Sequence, residues 1–99
     1  SAMTFVTPDI PAGRYALFAE FVLANEYGVV QVAVDGQDLG SPFDAYDEGI
    51  DAEGERVFCG EVELTAGSHR LAVRIVGKNE QSRSQTISVK RWLLRPLDP

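Results

Sequence analysis

The sequence predicts an all-β protein, specifically an antiparallel β-sandwich. Three observations lead to this fold class: apolar residues alternate with period two in several segments, turn-forming residues separate those segments, and no segment has the spacing of an amphipathic helix. Short strands joined by turns, without helices between them, favour two antiparallel sheets packed face to face over an α/β arrangement.

The first predicted strand covers residues 14–23, after a turn at 11–13. Its alternate residues are apolar or aromatic and form the predicted core face: Tyr15, Leu17, Ala19, Phe21 and Leu23. The second strand covers 27–34 and is rich in valine. It leads into Asp35 and Gly36, which suit the left-handed positions of a two-residue hairpin turn, and a returning strand at 37–39 follows.

Residues 40–55 lack periodicity, so they predict a long loop with room for a short strand at 43–46. Strand character resumes over 56–64, and a turn at 65–68 leads into a strand at 69–76. The last strand covers 85–95 and ends at Pro96. Its alternation breaks around Arg91, which predicts a β-bulge or a change of sheet.

Length and composition predict one small domain. The chain has 99 residues, 44% of them hydrophobic, with no apolar stretch long enough for a membrane helix and too much apolar content for a disordered segment. Residues 1–3 resemble the scar of a cleaved expression tag, so we assign 4–97 to a single β-sandwich module. Because no signal peptide follows this scar, we expect the module to come from a larger protein.

Charge is distributed unevenly along the chain. Residues 1–55 hold eleven acids and one base, a net of −10, whereas residues 56–99 hold eight bases and four acids, a net of +4. The overall charge of −6 argues against nucleic-acid binding, which depends on concentrated Lys and Arg. If strands from the two halves interleave, their opposite charges will pair across strands.

Histidine and cysteine, which carry much of acid–base and nucleophilic catalysis, occur once each. His69 has the parity of Leu71 and Val73, so we expect its side chain to point toward the core and to hydrogen-bond a turn backbone. Cys59 lies within an apolar strand, where a buried thiol is inert. The sequence therefore predicts no catalytic residues and no enzyme activity in this chain.

Six acids fall within residues 44–55, and carboxylate oxygens of this kind suit calcium. Asp44, Asp47 and Asp51 are the possible ligands. Their spacing does not match an EF-hand, and a solvated acidic loop is the simpler interpretation. Calcium is the one cofactor that the sequence suggests.

Four aromatic residues are candidates for contact with sugars, because rings pack against the apolar C–H faces of a sugar while nearby carboxylates and amides bind its hydroxyls. They are Tyr27, Phe43, Tyr46 and Trp92. Trp92 lies in the last predicted strand, and we expect it to pack between the sheets instead.

Five segments together resemble accessory β-sandwich modules of bacterial glycoside hydrolases. They are residues 11–17 (Pro-Ala-Gly-Arg-Tyr-Ala-Leu), 27–36 (ending Val-Asp-Gly), 43–46 (Phe-Asp-Ala-Tyr), 64–71 (Leu-Thr-Ala-Gly-Ser-His-Arg-Leu) and 77–79 (Gly-Lys-Asn). In outline the chain is similar to the galactose-binding jelly roll of family 6 and family 35 carbohydrate-binding modules. In its local sequence it is more similar to modules beside family 172 glycoside hydrolases. Where the family usually ends with Gly-Leu-Asp-Tyr-Leu, this chain has a base, Lys90, in place of the acid.

The resemblance implies a jelly-roll topology and a parent enzyme that is secreted, periplasmic or at the cell surface. Two functions stay open. The first is a non-catalytic module that binds a polysaccharide or oligosaccharide near a catalytic domain; its proposed contacts are Tyr27, Phe43, Asp44, Tyr46, Asp47 and Asn79. The second is a structural module that packs against the catalytic domain or mediates oligomerisation without binding sugar. Neither involves nucleic acid or insertion into a membrane.

Overall fold

The computed structural model describes residues 2–21, 29–44, 55–77 and 89–97, and these residues form seven strands and no helix. The strands are β1 (Ala2–Val6), β2 (Gly13–Phe21), β3 (Val29–Val34), β4 (Gln37–Asp44), β5 (Glu55–Leu64), β6 (Arg70–Gly77) and β7 (Val89–Pro96). They build a four-stranded sheet in the order β1-β6-β3-β4 and a three-stranded sheet in the order β5-β2-β7. All pairs are antiparallel, so the predicted sandwich is confirmed.

Among these seven strands, the chain moves from one sheet to the other at every connection except the β3–β4 hairpin. This repeated crossing agrees with the jelly-roll arrangement that the resemblance implies. Within the described residues, no helix is long and apolar enough to cross a membrane.

The core lies between the sheets and follows the predicted parity. Buried residues from the three-stranded sheet are Tyr15, Leu17, Ala19, Phe21, Cys59 and Leu64, and those from the four-stranded sheet are Val30, Val32, Val34, Leu71 and Val73. The core faces predicted for β2 and β6 are therefore confirmed where the structure describes them. Alternate residues lie on the outer faces of the sheets because successive side chains of a strand point to opposite sides, although Ala16, Gln31 and Ala33 are also buried there.

The hairpin between β3 and β4 has the predicted two-residue turn. Asp35 has a φ of 51° and Gly36 a φ of 87°, both in the left-handed region that a type I′ turn requires. Val34 pairs directly with Gln37 across the turn, which sets the register of both strands.

Strand β4 is longer than predicted, because it continues through Gly40 to Asp44. The register is irregular there, since Val30 pairs with Phe43 but Val32 pairs with Leu39. The buried side chain of Gln31 stabilises this irregular stretch by donating from its amide to the carbonyl oxygens of Leu39 (3.1 Å) and Gly40 (3.3 Å). The same amide also donates to the carbonyl oxygen of Val32 at 2.8 Å, so one buried side chain contacts both strands of the irregular stretch.

Two further irregularities lie in the three-stranded sheet. The register of β5 against β2 shifts at Cys59, and the register of β7 against β2 shifts at Lys90. The second shift is the β-bulge that the broken alternation predicts.

Cross-strand ion pairs join the two halves of the chain, as the charge distribution predicts. Arg56 donates to Glu20 (3.1 Å), and Arg74 donates to Asp38 (2.7 Å). In each pair the base comes from the second half of the sequence and the acid from the first. The Arg74–Asp38 pair is exposed on both sides, so it contributes little to stability, whereas Glu20 of the other pair is mostly buried.

One side of the sandwich is closed where β4 crosses near β5. Gly40 has a φ of 70°, and a Cβ at this position would overlap the carbonyl oxygen of Cys59. On the other side, β1 and β7 are the edge strands of their sheets among the seven described strands. The close approach of β4 to β5 therefore depends on a glycine.

Candidate functional site

The strands have two distinguishable ends. Asp35 lies in the turn after β3, and it contacts His69, which follows β5 in the chain. The ends of β3 and β5 therefore lie together, and we call this the hairpin end. Their starts therefore lie together at the opposite end, which we call the loop end. Two rows of paired residues mark it: Phe21 with Glu55 and Val89 in one sheet, and Val29 with Asp44 and Gly77 in the other.

Three connections join strands at the loop end, namely residues 22–28, 45–54 and 78–88. Each leaves one sheet and returns to the other. The structure does not describe these three segments, and the predicted contacts Tyr27, Tyr46, Asp47 and Asn79, together with the possible calcium ligand Asp51, lie within them. The strand ends thus show that all the segments carrying predicted contacts are attached at one end of the sandwich.

Phe43 and Asp44 are the predicted contacts that belong to a described strand. They are the last two residues of β4, opposite Val30 and Val29 of β3. Their backbone therefore lies at the loop end, beside the start of segment 45–54. Among the described residues, no group of three acids, histidines or cysteines could hold a metal ion, and the calcium site stays a prediction.

Trp92 packs between the sheets, as the sequence predicts. Its ring meets Phe5 of the opposite sheet edge-on, with 5.5 Å between ring centroids and an interplanar angle of 65°. Its Nε1 is buried without a hydrogen-bond partner among the described residues. The Trp92 ring is thus part of the contact between the two sheets.

His69 is the centre of a hydrogen-bonded group at the hairpin end. Its Nδ1 lies 2.6 Å from a carboxylate oxygen of Asp35, and its Nε2 lies 2.7 Å from the carbonyl oxygen of Thr65. Since both neighbours are acceptors, the ring donates to both when it is doubly protonated. The Thr65 carbonyl and the Asp35 carboxylate accordingly raise the pKa of His69 above its usual value.

Asp35 is held from both sides. Its second carboxylate oxygen accepts from the backbone N–H of Arg70 at 2.9 Å, and this bond, with the His69 hydrogen bond, lowers the pKa of Asp35. Neither ring nitrogen of His69 is left to take a proton from a substrate. His69 therefore ties the β3–β4 turn to the start of β6, which agrees with the predicted structural role.

Cys59 is buried in the core, and its thiol lies 3.7 Å from the carbonyl oxygen of Val57. Burial raises the pKa of this thiol to about 12. A thiol with so high a pKa supplies little thiolate near neutral pH, so Cys59 is not an activated nucleophile.

A second surface was not predicted from the sequence. On the outer face of the three-stranded sheet, Phe18 and Phe58 pair across β2 and β5 with 5.4 Å between ring centroids. Phe58 is 56% exposed. One signal was present, because Phe18 has the parity of Arg14 and Glu20 and not that of the core residues.

Comparison with known proteins shows the fold of this chain. No family model matches the sequence, and no curated protein matches it. The structure is similar to part of a xanthan lyase from Paenibacillus, with a TM-score of 0.86 over 97% of this chain at 18% identity. It is also similar to part of a GH26-CBM35 β-(1,4)-mannanase from Podospora anserina, with a TM-score of 0.65 over 99% of this chain at 19% identity.

This chain corresponds to 9% of the lyase chain and 20% of the mannanase chain. The same β-sandwich thus occurs as a small segment of two much longer carbohydrate-active enzymes. At this level of identity the likeness establishes the fold.

Proposed function

We propose that this chain is a non-catalytic carbohydrate-binding module of a larger, secreted carbohydrate-active enzyme, and that it binds a polysaccharide or oligosaccharide at the loop end. The observation that carries the proposal is the attachment of segments 22–28, 45–54 and 78–88 to one end of the sandwich. A rigid sandwich that presents several connections at one end is a common scaffold for binding sites.

These segments contain the side chains that sugar recognition uses. Tyr27 and Tyr46 supply rings for the C–H faces of a sugar, while Asp47 and Asn79 supply acceptors and donors for its hydroxyls. Phe43 and Asp44 extend the same set from the end of β4. In this proposal the anchoring strands hold the segments close enough for their side chains to meet one ligand.

The comparisons support the wider context. Both similar structures are named as carbohydrate-active enzymes, and this chain corresponds to only a small part of each. A module of this size beside a catalytic domain would increase the local concentration of polysaccharide at that domain. In this proposal the chemistry belongs to the catalytic domain.

Affinity electrophoresis and calorimetry with xanthan and β-1,4-mannan test the proposal, with dextran as the reference polysaccharide. We expect at least one of the first two to bind, and Tyr27→Ala or Tyr46→Ala to weaken binding by about tenfold, since a lost ring contact costs about 1.4 kcal/mol. Phe58→Ala is the matched control, because it removes an exposed ring from a different face.

Two results would contradict the proposal: no binding across a broad glycan array, or binding that survives both tyrosine substitutions and is lost in Phe58→Ala.

An experiment with a chelator tests the calcium site separately. If Asp44, Asp47 and Asp51 hold calcium that orders the site, EDTA will abolish binding and added calcium will restore it.

A further inference from the structure

The outer face of the three-stranded sheet carries an apolar row that nothing in this chain covers within the described residues. Phe18 of β2 lies between Phe58 of β5 and Leu93 of β7 in the register of the sheet, and we call these three residues the Phe row. A depression of about 320 Å³ beside Phe18 and Leu93 is also lined by Arg56 and Arg95. Phe58 is exposed and Phe18 and Leu93 are half-buried, and apolar residues grouped in this way on one sheet face indicate an interaction surface.

The geometry of the Phe row does not suit a sugar. The rings of Phe18 and Phe58 are tilted by 52°, so they do not form one flat platform. The Phe row therefore calls for an apolar partner surface.

Arginine side chains flank the Phe row on both sides. On one side Arg56 and Arg91 both approach Glu20, at 3.1 Å and 3.8 Å, so two cations share one carboxylate. On the other side lies Arg95, opposite Ala16, and it has no ion-pair partner among the described residues. The margin of the Phe row thus carries an excess of positive charge, although the whole chain has a net charge of −6.

We propose that the Phe row docks a neighbouring domain of a longer polypeptide, through an apolar surface whose carboxylates meet Arg95 and Arg91. An exposed phenylalanine beside a half-buried one, with arginines around them, has the composition of the energetically dominant part of protein interfaces. The comparisons support a neighbouring domain as the partner, because the same fold occupies 9% and 20% of two longer chains. This surface is separate from the loop end, so either proposal can fail without the other.

Hydroxyl-radical footprinting with mass spectrometry tests the docking surface. The oxidation rate of Phe58 is compared between the 99-residue chain and the longest natural polypeptide that contains it, with Val6 as the reference because it is 70% exposed and lies in the other sheet. If docking buries Phe58, its oxidation rate will fall severalfold in the longer polypeptide, because a desolvated interface centre excludes the radical, while the rate of Val6 stays unchanged.

Charge substitutions in the longer polypeptide complete the test. Arg95→Ala should restore most of the reactivity of Phe58, whereas the matched control Arg74→Ala, which removes an arginine paired with Asp38 on the other sheet, should not. Equal reactivity of Phe58 in both polypeptides would overturn the proposal. So would protection that depends on protein concentration, which indicates a second copy, or protection that requires added polysaccharide.

Discussion

Replacing Gly40 by alanine tests how closely β4 and β5 must approach. Gly40 has a φ of 70°, and a Cβ there would overlap the carbonyl oxygen of Cys59. The overlap involves backbone, which cannot rotate away as a side chain would. Gly36 supplies the matched control, because its φ of 87° is also left-handed but no atom lies within 4 Å of its added Cβ.

The two substitutions share one cost and differ in another. A left-handed alanine costs roughly 1 to 2 kcal/mol of unfolding free energy at either position. At Gly40 the overlap adds the cost of separating two packed strands, roughly 1 to 3 kcal/mol on the scale of overpacked cores. We therefore expect Gly40→Ala to lose roughly 2 to 5 kcal/mol in total, clearly more than Gly36→Ala.

Urea unfolding followed by the fluorescence of Trp92, the single tryptophan, measures both losses. The midpoint should fall in both variants with an unchanged m-value, and thermal midpoints should fall by about 4 to 8 °C for each kcal/mol. If Gly40→Ala and Gly36→Ala lose the same free energy within about 0.5 kcal/mol, the close approach of β4 to β5 does not limit stability, and the steric reasoning is wrong.

Two further predictions concern titration and reactivity. Since the pKa of His69 is raised and that of Asp35 is lowered, their interaction is fully present between about pH 4 and about pH 6.5, and it weakens as pH rises through the folded pKa of His69 or falls through that of Asp35. The stability advantage of the native chain over His69→Gln in urea unfolding should therefore shrink as pH rises above about 6.5 and through the folded pKa of His69, and a constant difference would contradict this. Cys59, with a pKa raised to about 12 by burial, should react with a thiol reagent at about pH 8 only after unfolding, so rapid labelling of the folded chain would refute the assigned burial.

The sequence predicts those parts of the fold that depend on local patterns. Strict alternation identified β2 and β6, and the Asp35-Gly36 pair identified the hairpin turn. Strand β1 was not predicted, because five residues without a following turn signal gain strand structure only by pairing with β6, which is distant in sequence. The extension of β4 was missed for a similar reason, since it pairs with β3 across an irregular register that alternation does not encode.

The candidate sites show the same division. Parity placed His69 toward the core, where the structure finds it, but parity alone could not bring Phe58 opposite Phe18. That pairing depends on the register shift at Cys59, which allows Leu17 to pair with Gly60 and Phe18 with Phe58. A bulge changes which residues are neighbours without leaving a clear periodic signal.

The edge strands β1 and β7 determine how the sandwich responds to a force that pulls on the two ends of the chain. Strand β1 runs from the loop end toward the hairpin end and β7 does the same, so the start of β1 and the end of β7 face opposite ends of the sandwich. A pull on both termini thus acts along the strands. Because ladder hydrogen bonds lie perpendicular to antiparallel strands, the pull shears the β1–β6 and β2–β7 pairings as whole rows and does not open them one bond at a time.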